Sequence, residues 1–211
     1  TVLVAGNRIA AVGPAHEVAV PADAAIVQAA GRYLIPGLWD MHVHSVANVA
    51  VDRSNPAVAA QDWHLPLFLA HGVTGVRNMN DGAGDLTLEL SKSVRRRLAA
   101  GELRGPARFL TAGPAVDGDP SLGSNPVVVR TAAEARAAVE QLVSNGADLV
   151  KVYENLSREA YFAIMDEARR RGIPVDGHVP FRVTPEEAAN AGQRTVEHPD
   201  ALAAGCSTTA E

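Results

Sequence analysis

Short apolar runs alternate along this chain with longer stretches of mixed apolar and polar residues. "TVLVAGNRIAAVG" places two apolar runs around Gly6-Asn7, a tight-turn signal that predicts a hairpin. "AAIVQAAGRYLIPG" predicts a further strand and a turn at Pro36-Gly37. Residues 1–33 therefore read as a small β segment, too small to fold alone. From Leu34 the period changes. Strands are predicted at 34–44, 72–78, 107–113, 147–153, 173–179 and 193–198. Between them fall helical stretches at Pro56–His71 and Asp85–Ala100, and a third opened by Thr131 and Glu134 as a capping box. A fourth runs from Ser157 to Arg171 and is closed by Gly172; a fifth is capped at Thr184 with Pro185 in its first turn.

Strands alternating with helices in short units imply right-handed crossovers and a parallel sheet. An open nucleotide-binding sheet would carry a glycine-rich turn after its first strand, whereas "HVHSVANVA" follows here. The expected fold class is therefore α/β, a partial (β/α)8 TIM barrel of about six βα units over 34–211, preceded by the β segment. The chain opens without methionine inside a strand-like pattern and stops at "CSTTAE". It is expected to be part of a longer protein, cut after about the sixth strand. Open strand edges and an uncovered apolar interior would then make these residues alone associate into homo-oligomers or aggregate.

Composition narrows the partners. With 19 Lys and Arg against 24 Asp and Glu, the net charge of −5 gives no electrostatic case for nucleic acid or an anionic membrane. A hydrophobic fraction of 47% suits a globular core. No apolar run reaches the roughly 20 residues of a membrane span. The compartment stays open, with the cytoplasm expected. Cys206 is the single cysteine, so neither an intrachain disulfide nor a thiolate zinc site is expected. Arg95–Arg97 and Arg169–Arg171 read as solvated helix ends, where cations complement the dipole.

The strand ends carry the chemistry. In a strand, residues i and i+2 share a face, so His42 and His44 project side by side. A barrel would bring these two together with Lys151, His178 and His198, so four of the seven histidines converge. Such a nitrogen donor set suits zinc or a similar first-row ion. His16, His64 and His71 read as bystanders. Lysine occurs twice against seventeen arginines, and alternation puts Lys151 on one face with Leu149 and Tyr153. Burial would depress its pKa, and the neutral amine can add carbon dioxide to give a carbamate bridging two metals. The alternative is a structural lysine paired with Glu154 or Asp148.

"RIAAVGP", "GRYLIPGLWDMHVH", "HGVTGVRN", "LVKVYENLSREAYFAIMDEARRRGIPVDGHVP" and "AGQRTVEH" together resemble the amidohydrolase superfamily, most closely its imidazolonepropionase- and prolidase-like branch. In that branch a leading β segment joins the C-terminus in a small sandwich. The resemblance implies two divalent ions, with zinc expected: His42 and His44 on the more buried one, His178 and His198 on the other, and carboxylated Lys151 bridging both. It implies catalytic roles for Lys151, His178 and His198, a substrate contact at Tyr153, and a metal-bridging hydroxide that hydrolyses a C–N bond. The implied substrate is a small molecule of the dipeptide or cyclic amide class. The chain departs from the family pattern in stopping before the strand-eight aspartate and in carrying Arg77-Asn78 where Arg-Asp is common. A one-metal deaminase of the same superfamily and a non-catalytic scaffold are the alternatives. The glycine- and proline-rich loop Gly113–Pro126 is expected to lie over the site.

Overall fold

The computed structural model describes residues 1–44, 61–80, 86–123, 125–198 and 202–203. The expected helix starts at Pro56 and Asp85, and Cys206, lie outside them. The chain divides into two compact units, Thr1–Pro36 and Gly37–Glu211.

In the first unit, β1 (Val2–Ala5) and β2 (Arg8–Val12) form an antiparallel hairpin. Its turn needs the positive φ of Gly6, +58°. The strand expected in 24–36 is absent. Among the described residues its backbone makes only local turns, Ala24 N–H to Pro21 C=O and Arg32 N–H to Ala29 C=O, and Ile26 and Val27 are exposed. An apolar run becomes a strand only where a neighbour takes up its backbone groups, and within this unit none does.

The second unit is mixed α/β with parallel sheets. β3 (Leu38–Val43), β4 (Val73–Asn78) and β5 (Arg108–Thr111) form a parallel sheet in that order. The other sheet contains β6 (Val116–Asp117), β7 (Val127–Val128), β8 (Val150–Val152), β9 (Val175–Gly177) and β10 (Thr195–Val196), in the order β10-β9-β8-β6-β7. The six expected strands of this unit are β3, β4, β5, β8, β9 and β10. β6 and β7 were not expected, because two-residue strands carry no readable period. Asp148, two residues before β8, joins the two sheets: its N–H donates to Thr111 C=O and its carboxylate accepts from Thr111 N–H, at 2.9 and 2.8 Å.

The helices are α1 (Gln61–Ala70), α2 (Leu86–Ala99), α3 (Ala132–Ser144), α4 (Arg158–Arg171) and α5 (Pro185–Ala191). Ser157 caps α4 through Ala160 N–H, and Gly172 ends it in the left-handed conformation. At α5 the capping box of Thr184 and Glu187 is complete. At α3 it is half made: Thr131 accepts from Glu134 N–H, but the Glu134 carboxylate takes the N–H of Arg130 instead.

Alternation sorts each strand into two faces. Val76, with Leu65, Val94 and Phe109, packs in the core of the first sheet and its helices. Val150, Val152 and Val175 pack with Val139, Leu142, Tyr161 and Ile164 of α3 and α4. Their strand neighbours Arg77, Lys151 and Asp176 point the other way and are still buried, at 2%, 2% and 0% exposure. That second face also holds a small apolar cluster of Met79, Ala112 and Leu149. Arg95 corrects the reading of its triplet as a solvated helix end. Its Nε donates to Phe109 C=O at 2.8 Å and its guanidinium pairs with Asp148, tying α2 to the sheets. Arg169–Arg171 pair on the surface with Asp166, Glu167 and Glu140.

Candidate metal centre

Parallel pairing aligns the C-terminal ends of β8, β9 and β10, and the bond from His42 to Glu197 brings the end of β3, from the other sheet, to the same place. His178 N–H donates to Val152 C=O at 3.0 Å, and Glu197 N–H to Gly177 C=O at 2.8 Å. Gly177 has φ +133°, and a Cβ there would run into the Val152 carbonyl oxygen, so only glycine lets the chain deliver His178 at this level. His198 itself sits at φ +65°, an uncommon conformation for a residue with a side chain.

The four histidines meet edge to face. Ring centroids are 5.0 Å apart for His44 and His42, 4.9 Å for His42 and His198, and 5.0 Å for His198 and His178. Three of the rings are oriented through Nδ1: His42 on Glu197 Oε2 at 2.7 Å, His178 on Glu154 Oε1 at 2.9 Å, and His44 on the carbonyl of Asn80. A carboxylate or carbonyl only accepts, so each Nδ1 carries the hydrogen and each Nε2 of a neutral ring is left with its lone pair. His42 Nε2 and His44 Nε2 face each other at 3.1 Å. Two lone pairs at that distance repel unless a proton or a cation lies between them.

Lys151 lies beside this row, its Nζ 5.7 Å from the Tyr153 ring centroid. Tyr153 in turn stacks on His178, with centroids 4.3 Å apart. Glu154 is engaged by His178 and Asp148 by Arg95, so neither suggested salt-bridge partner pairs with the lysine. Burial pulls the Lys151 ammonium down to about 8, aided by the charge of Arg77 and opposed by Glu197, Glu154 and Asp176. Burial likewise lowers His42 and His178 despite their carboxylate partners. Burial works to raise Glu197, but hydrogen bonds from His42 and Thr195 and the charges of Arg77 and His42 prevail and hold it low. The Tyr153 phenol is raised by burial, then by Glu154 and Asp117.

The structure thus brings together all five expected nitrogen residues and Tyr153. Among the described residues, no group of three or more His, Cys, Asp and Glu side chains is arranged to hold a metal ion as it stands. By donor chemistry the residues nevertheless fit one, with oriented imidazoles whose second nitrogen is anchored on an acceptor, the usual setting of metal-binding histidine.

Sequence reasoning missed Arg77, Glu154, Asp176 and Glu197 as members of the site. Arg77 is buried and pairs with Asp176 and Glu197. The available signal was a charge inside each apolar run, with Asp176 and His178 two apart on one face. The Gly113–Pro126 loop approaches the site at Tyr153 and is held by its own hydrogen bonds. Asp117, fully buried, accepts from the Gly118, Leu122 and Asn155 N–H groups and the Ser121 hydroxyl, and a Cβ on Gly123 would lie 3.8 Å from the Tyr153 ring.

No family model matches the chain. It is 34% identical over 100 residues to adenine deaminase 3 of Rhizobium meliloti (strain 1021), a match covering 44% of this chain and 17% of that protein. Among solved structures, it resembles bottromycin amidohydrolase, with 27% identity and a TM-score of 0.60 over 78% of this chain and 32% of that one. A prolidase solved with N-methylphosphonate-L-proline has 24% identity and a TM-score of 0.70, over 93% of this chain and 55% of that one. These likenesses are consistent with the amidohydrolase superfamily. The chain spans less than a fifth of the deaminase and about a third to just over half of these two structures. Among the described residues no helix is long and apolar enough to cross a membrane.

Proposed function

We propose that this chain supplies the metal-binding part of a (β/α)8-barrel hydrolase that cleaves a C–N bond in a small molecule, a dipeptide or cyclic amide. Residues 1–33 would belong to a separate β layer. One observation carries the reading: His42 and His44 from β3 of one sheet meet Lys151, His178 and His198 from the parallel strands β8, β9 and β10 of the other, on the face turned away from the helices. The bonds of Asp148 between the sheets, and the ion pairs from Arg77 on β4 to Asp176 and Glu197 at β9 and β10, support a curved sheet closing around that face.

In this reading His42 and His44 hold one divalent ion, His178 and His198 hold a second, and zinc suits their nitrogen donors. Ions bound there would acidify water and polarise the scissile carbonyl. Glu197 and Glu154 keep the Nδ1 hydrogens of His42 and His178, so each Nε2 stays a donor. The neutral Lys151 amine attacks the carbon of CO2. The N–C bond forms, a C=O electron pair moves to oxygen, and the ammonium proton passes to solvent. Lys151 carboxylated in this way would supply anionic oxygen to ions held by the histidines. Tyr153, stacked on His178, contacts the substrate.

The adenine deaminase likeness favours a second reading, a deaminase, which we weigh in its one-metal form. Metal content separates them. In the full chain, Lys151→Ala should lose at least one of two metal equivalents and the hydrolysis of a dipeptide and cyclic-amide panel. Acetate or propionate should restore part of both, and Lys151→Arg should not respond, because its guanidinium fills the space and stays charged. Two metals and normal turnover in Lys151→Ala would overturn the carbamate. One metal with adenine hydrolysis in the wild type would establish the second reading.

A further inference from the structure

Arg77 is buried at 2% exposure, and its hydrogen bonds go to neighbours of the histidines. Its Nε donates to Met41 C=O at 2.6 Å, directly before His42. Nη1 donates to Asp176 Oδ2 at 3.0 Å and Thr195 Oγ1 at 3.1 Å, and Nη2 pairs with Glu197 Oε1. One guanidinium therefore reaches β3, β9 and β10, the strands that deliver His42, His178 and His198. The Thr195 hydroxyl donates to the same Glu197 oxygen at 2.7 Å. With Oε1 held by Arg77 and Thr195, Oε2 is left to receive His42 Nδ1–H at 2.7 Å. Asp176 is also paired with Arg194, so two guanidinium groups balance two carboxylates.

We propose that Arg77 is a positioning residue for His42: by clamping Glu197 against Asp176 it fixes the His42 ring with hydrogen on Nδ1 and a free lone pair on Nε2. The consequence for metal affinity rests on the metal-centre reading above. The fork geometry is the reason for arginine. Lysine offers a point charge that cannot bond the Met41 carbonyl, Asp176 and Glu197 at once.

The test uses the full chain, metal-free and 15N-labelled at histidine, at a pH where the imidazoles are neutral. Wild type should show His42 with hydrogen on Nδ1. Arg77→Lys and Glu197→Gln should each populate the Nε2–H tautomer, which a merely structural role would not require of a folded variant. Zinc affinity, measured by chelator competition, should fall about 10- to 100-fold in each. The double variant should lose no more than the weaker single variant, since both act through one hydrogen bond. An unchanged His42 tautomer in folded Arg77→Lys, or zinc losses that multiply in the double variant, would overturn the proposal. Should Arg77→Lys not fold, Glu197→Gln with an unchanged tautomer overturns it equally, and a shifted one supports it. A wild type with the Nδ1–H tautomer but no zinc affinity overturns the metal reading and leaves the link from Arg77 to His42 standing.

Discussion

Across α3 and α4, Arg136, Arg169, Arg170 and Arg171 pair with Asp166, Glu167 and Glu140 at 2.6 to 3.8 Å. On the opposite face of the strands, Arg77 and Arg194 pair with Asp176 and Glu197. Both groups join arginines to carboxylates, but in the helical group every arginine reaches its partner, buried Glu167 included, from the surface, whereas in the other Arg77 is itself buried. The arginines of the helical group are 33% to 72% exposed, so solvent and salt screen them and ordering their long side chains offsets most of the gain. Arg77, Asp176 and Glu197 are at 2%, 0% and 8% exposure. Taking those charges out of water costs about as much as their attraction returns, so stability alone does not account for them. The difference that matters is what the remaining oxygen of Glu197 does: it accepts from His42. Counting ion pairs would rank the helical group first, whereas burial and convergence single out the other.

The largest effect should come from breaking the buried group. Asp176→Asn keeps the volume but leaves Arg77 and Arg194 facing a neutral amide, and should cost about 3 to 5 kcal/mol in chemical denaturation of the full chain. A cost near that of a surface pair would erase the contrast. Next comes Lys151, whose burial sharpens the comparison because no carboxylate among the described residues pairs with it. Its folded pKa of about 8 lies below the unfolded value near 10.5. Between those values the unfolded chain binds more protons, so stability rises with pH. Below about 8 the cost of the buried ammonium is fully present, about 3 kcal/mol for this shift. Lys151→Met in metal-free, CO2-depleted protein should therefore be more stable than wild type at pH 7, and the advantage should vanish by about pH 10.5. A gain independent of pH would assign the effect to packing. The smallest effect belongs to the helical group: Asp166→Ala should leave the thermal midpoint indistinguishable from wild type, and added salt should not change that.

Much of the second unit was legible because its strands are short apolar runs bounded by turn signals, and its later helices announce themselves by caps such as Ser157 and Thr184. The boundaries of β3, β4, β5, β8, β9 and β10 fall inside the expected runs. Histidines at strand ends were equally visible, since position relative to an apolar run is a local property. The strand expected around Ile26 failed for the complementary reason: its sequence is strand-like, but a strand exists only with a partner. Arg95 shows the same limit. Its triplet reads as a helix end, and only the approach of Asp148 and the Phe109 carbonyl makes it a tie between α2 and the sheets.

By itself, then, the sequence determined which residues alternate between the helix face and the opposite face, and where the metal-ligating types stand along each strand, because period and capping act over a few residues. Only the tertiary structure decided that Arg77, Asp176 and Glu197 meet beside His42, for these residues are separated by 99 and 120 positions from Arg77. It also decided that Asp148 and Glu154 are engaged by Arg95 and His178, leaving Lys151 without a carboxylate partner among the described residues. Pairings at such separation depend on how strands stack in space, and no local pattern encodes which charge will face which.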